Sequence, residues 1–77
     1  MKIIRQGRIF GGHMDNWHVK IQDDKMNTGG YLVFYSSNSG YTDELYDDWF
    51  ETLYEAEQNF KYNNYSIMWE EIPLRGR

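Results

Sequence analysis

The sequence predicts an α+β domain: a single twisted antiparallel sheet of four to five strands with one helix packed on one face, in the order β-β-β-β-α-β. Three observations carry this. Residues 17–22, Trp-His-Val-Lys-Ile-Gln, alternate apolar and polar side chains without error, the period of a half-buried strand. Tyr31-Leu32-Val33-Phe34-Tyr35 is apolar at every position, as a strand in the middle of a sheet requires. Thr52-Leu53-Tyr54-Glu55 fits a capping box, in which the threonine hydroxyl accepts from the amide three residues on and the glutamate reaches back to the threonine's amide.

Taken in order, Lys2 to Phe10 reads as an isoleucine-rich first strand with Gly7 as a candidate bulge. Gly11-Gly12 breaks it, and His13 to Asn16 form a loop. In the strand from Trp17 to Gln22, the residues Trp17, Val19 and Ile21 are expected to face the core and His18, Lys20 and Gln22 to face out. Residues 23–29 read as a polar connection that ends in a Gly29-Gly30 turn, and Tyr31 to Tyr35 is the central strand. Ser36 to Gly40 is a flexible loop of small polar residues.

The helix is expected from Leu53 to Tyr62. Leu53, Ala56 and Phe60 share one face at i, i+3 and i+7, with Glu55, Gln58 and Lys61 pointing away. Phe60 should meet Trp17 or Trp69 on the sheet. Asn63-Asn64 closes the helix, since asparagine tolerates the left-handed conformation of a helix end. A rival helix beginning near Asp43 also keeps apolar spacing through Leu45 and Trp49. Two features favour a short strand there instead: Thr52 is a poor helix-interior residue, and residues 43–51 offer no base to pair with their acids. Tyr65 to Trp69 makes the last strand, Pro73 ends it, and residues 74–77 form a frayed basic tail.

The strings D-D-W-F-E-T-L-Y-E-A-E and N-N-Y-S-I-M-W-E-E-I, which together span residues 47–72, resemble a group of small bacterial α+β domain proteins of uncharacterised function. In that group a strand with an Asp-x-Trp pattern leads into a Ser/Thr-Leu-x-x-Ala helix, and a Trp-containing strand closes the domain. The resemblance implies an antiparallel sheet with one helix. It implies no activity and supplies no catalytic residue.

At 77 residues the chain fits one domain, near the size at which a single core only just offsets chain entropy. It has no cysteine, so no disulfide or cysteine-ligated zinc is available, and its seven tyrosines, four phenylalanines and three tryptophans must supply the core. No apolar run approaches a membrane span, and no signal-peptide core is present near Met1, so a cytoplasmic location and no membrane partner are expected.

The net charge of −4 is unevenly spread. Residues 26–60 hold seven acids (Asp43, Glu44, Asp47, Asp48, Glu51, Glu55 and Glu57) and no lysine or arginine. Among them stand Tyr41, Tyr46, Trp49 and Tyr54, residue types enriched in interface cores. This points to a non-catalytic protein-binding domain, immunity- or inhibitor-like, with Tyr46, Asp47, Asp48, Trp49, Glu51 and Tyr54 as the partner-binding residues and a basic protein as the partner. Two alternatives stand beside it. One is a homodimer in which the exposed aromatics meet their own copy. The other is a sheet-surface nucleic-acid binder using Arg5, Arg8 and Lys20, against which the acidic balance weighs.

No enzyme chemistry, cofactor or metal is expected. Asp47 and Asp48, adjacent on a strand, point to opposite faces and cannot share a site as paired carboxylates. His13, Asp15 and His18 lie on a glycine-flanked loop and an outward strand position, and read as solvated side chains. Gly11-Gly12 and Gly29-Gly30 lack the lysine and the strand-to-helix context of a phosphate loop.

Overall fold

A computed structural model describes residues 2–70. Five antiparallel strands form one sheet in the spatial order β4-β3-β2-β1-β5: β1 is Lys2–Phe10, β2 is His18–Asp24, β3 is Gly30–Ser36, β4 is Leu45–Phe50 and β5 is Ser66–Trp69. Between β2 and β3 lies a four-residue helix, α1 (Lys25–Thr28). The main helix, α2 (Leu53–Tyr62), links β4 at one edge of the sheet to β5 at the other.

The core fills the space between α2 and one sheet face. Val19, Ile21, Val33, Tyr35 and Ile9 from the sheet meet Ala56 and Phe60 from α2, and all are buried. Phe60 packs on Trp69 with ring centroids 6.1 Å apart, which decides between the two expected tryptophans. Trp17 instead stacks on Tyr46. Gln22 departs from expectation. It keeps the outward phase but is buried, because its register partners Ile3 and Leu32 flank it on that face.

The short-helix reading is the observed one. Thr52 is extended and its Oγ1 accepts from the Glu55 amide at 3.1 Å. The second half of the expected box differs: Glu55 Oε1 accepts from the Glu51 amide, not from Thr52. Glu51 lies beyond the last β3–β4 pair, Tyr31–Phe50, so its amide takes an acceptor outside the ladder. At the other end Asn64 is left-handed (φ 63°), the Asn64 amide donates to the Lys61 carbonyl, and the Tyr65 amide donates to the Phe60 carbonyl. These two bonds complete a Schellman motif, and Tyr65 and Phe60 supply its apolar contact within the core.

Three further details correct the sequence reading. Gly7 is no bulge: it pairs in register with Val19 and with Trp69, and the register shift lies between Ile3 and Arg5. Its role is close approach, since a Cβ at Gly7 would stand 2.4 Å from the Met68 carbonyl oxygen. The polar connection after Gln22 is mostly ordered structure, because β2 runs through Asp24 and α1 follows. The Ser36–Gly40 loop is tied down, with Asn38 Oδ1 accepting from the amides of Thr42 and Asp43 and from the Ser36 hydroxyl. Pro73 and residues 74–77 lie outside the described residues.

Candidate partner-binding surface

Of the six expected binding residues, Tyr46, Asp47, Asp48 and Trp49 lie on β4, Glu51 on the turn that follows it, and Tyr54 in the first turn of α2. Strand alternation splits them between two faces. Register pairs Trp49 with Leu32 and Asp47 with Phe34, on the sheet face away from α2. Tyr46 pairs with Tyr35 and Asp48 with Val33, on the face that α2 shares. Glu51 and Tyr54 sit at the strand–helix junction, both exposed, Tyr54 at 69%. The six are therefore one edge and not one flat patch.

β4 is the outer strand, and every residue from Leu45 to Trp49 is exposed. Among the described residues only its β3 side is paired, so alternate backbone amides and carbonyls along its other side have no strand neighbour there. The pairing to β3 runs through six consecutive residues without a register shift, and the strand contains neither proline nor lysine. Among the described residues the one ion pair is Arg5 to Glu57 at 3.5 Å, so Asp47, Asp48 and Glu51 have no basic partner there.

The aromatic residues of the edge are held in place. Trp49 Nε1 donates to Thr28 Oγ1 at 2.8 Å, and its ring lies across Gly30, where a Cβ would come within 2.6 Å of it. Tyr46 stacks on Trp17 with centroids 5.7 Å apart and planes 20° from parallel. Asp48 is held above the usual carboxylate range, first by partial desolvation and then by Asp47. In turn burial, with Asp48 adding to it, pushes the Tyr35 and Tyr65 hydroxyls up.

The bases considered for nucleic acid do not share a face. Arg5 lies over the Trp69 ring at 4.4 Å, on the helix side, whereas Arg8 and Lys20 pair with Met68 and Phe34 on the open side. Lys20 Nζ sits 4.1 Å from the centre of the Tyr41 ring, and burial raises the Tyr41 hydroxyl to about 12. The histidines also part company. His13 Nε2 contacts the Tyr65 hydroxyl at 3.2 Å, and His18, beside the Tyr41 ring, is lowered by burial and by Arg8. Asp15 Oδ1 accepts from the Gly11 amide. Among the described residues no three metal-ligating side chains converge.

Sequence reasoning missed Thr28, which fixes Trp49, and Asp24, whose buried carboxylate oxygens have no hydrogen-bond partner among the described residues. Thr28 lies in the stretch 23–29 that the sequence presents only as a polar connection. Comparison with family models, with curated proteins and with solved structures finds no match.

Proposed function

We propose that the chain is a non-catalytic protein-binding domain that takes a basic partner along β4 and the turn into α2, in the manner of an inhibitor or immunity protein. The observation that carries this reading is the exposure of Asp47 and Asp48 on an edge strand, and of Glu51 just beyond it, with no base near enough to pair with them among the described residues. Tyr46, Trp49 and Tyr54 stand beside them with much of each ring open to solvent. Acids set beside aromatics suit a partner that is basic at its rim and apolar at its centre.

The same charge disfavours two β4 edges meeting across a dimer axis, which would bring like charges together. The test is retention of basic proteins by the immobilised domain at low and high salt. The reading expects a basic protein held at low salt and released as salt rises. Retention indifferent to salt would contradict it.

A further inference from the structure

We infer that the partner engages this domain by strand addition: an extended basic segment pairs its backbone with β4 and becomes a sixth strand. The inference rests on the proposed acidic-face reading and specifies its geometry. Sheet edges are ordinarily blunted by proline, charged side chains (lysine above all), a bulge or a covering element. β4 has no proline, lysine or bulge and keeps unbroken register with β3 over six residues; its only charges, Asp47 and Asp48, guard it against a like-charged strand and not against a basic one. At about 3.4 Å per residue it offers an edge of about 20 Å. The opposite edge, β5, is only four residues long.

The acids decide which strand can add. A second copy of β4 would set Asp47 and Asp48 against their own counterparts, which like-charge repulsion opposes. A basic strand meets attraction instead. Because Asp47 and Asp48 face opposite sides of the sheet, the complementary segment carries two adjacent bases, one for each side. Trp49 and Leu45 flank Asp47 on the open face, and Tyr46 flanks Asp48 on the other, so apolar or β-branched residues next to the bases would cover them. The Thr28 and Trp17 contacts hold Trp49 and Tyr46 before binding, which lowers the ordering cost.

The experiment titrates the isotope-labelled protein with an acetylated, amidated hexapeptide that carries two adjacent lysines between β-branched residues. A second peptide of the same sequence has alternate backbone amides N-methylated. The inference expects shifts and slowed exchange at alternate amides of Leu45–Phe50 with the first peptide, and loss of binding with the second. It expects Asp47→Lys with Asp48→Lys to weaken the first peptide roughly 2- to 30-fold, as the loss of two exposed ion pairs implies, and to gain binding of a peptide with two glutamates in place of the lysines. If the N-methylated peptide binds as well as the first, strand addition is wrong and the acidic-face reading survives. If the double variant binds the lysine peptide as the parent does, both fail. No response of the β4 amides to the lysine peptide also overturns strand addition.

Discussion

The Trp49 indole donates to Thr28 Oγ1 at 2.8 Å and so ties the edge strand β4 to the end of α1, between β2 and β3. Thr28 Oγ1 also donates to the Asp24 carbonyl at 3.2 Å, which makes the threonine the link between the edge and the end of β2. Thr28→Val keeps the shape and removes both bonds. Two hydrogen bonds at about 0.5–1.5 kcal/mol net put the cost near 2 kcal/mol, read as a lower melting temperature. An unchanged melting temperature would show that β4 needs no such tie.

Thr52 caps α2 through the bond from the Glu55 amide. Thr52→Ala should cost about 1 kcal/mol, a fall in melting temperature of roughly 4–8 °C for a domain of this size. A variant that melts higher would mean that the helix gains more from alanine than from its cap.

Phe60 is 5% exposed and lies against Trp69. Phe60→Ala should cost about 3–5 kcal/mol. That is a large share of the roughly 4–12 kcal/mol expected for a chain of this length, so denaturant unfolding should show a variant close to its limit. A loss of only a few tenths would place the ring outside the core.

Asp48 gives a pH signature. Its folded-state value is raised above 3.8 by desolvation and by Asp47, so the folded state holds the proton more tightly than the unfolded chain does. The corresponding stability is full below the unfolded value and is lost as pH rises through the folded one. Asp48→Asn removes this titration. It should raise the melting temperature at about pH 7, and the gain should vanish towards about pH 3. A gain that is the same at both values would locate the effect in packing instead.

The fold was legible because its signals are local. Alternation from Trp17, the apolar run from Tyr31 and the Thr52 cap each depend on residues close in sequence, and α2 begins and ends where those signals put it. What was hidden depends on partners far along the chain. Gly7 is required by Met68, and Gln22 is buried by Ile3 and Leu32. For the candidate surface, composition revealed the acids and the aromatics, and the expected strand already put Asp47 and Asp48 on opposite faces. Their division between two faces follows from β4 being a strand, and their exposure from its place at the sheet edge, which strand order alone decides.

The acids of β4 should matter little to the fold. Asp47→Lys, Asp48→Lys and Glu51→Lys keep three like charges but turn their repulsion from the nearby acids Asp43, Glu44, Glu55 and Glu57 into attraction, and exposed ion pairs are worth only about 0–1 kcal/mol each. The triple variant should therefore melt at or above the parent's temperature. A clear fall would assign these acids to stability.

The most direct measurement is the dissociation constant, at low salt, of the parent and of this triple variant for one basic protein retained by the immobilised domain. The account predicts binding weakened by roughly tenfold or more, since a desolvated charge contact contributes 1.5 kcal/mol or above. Equal affinity for parent and variant would contradict it.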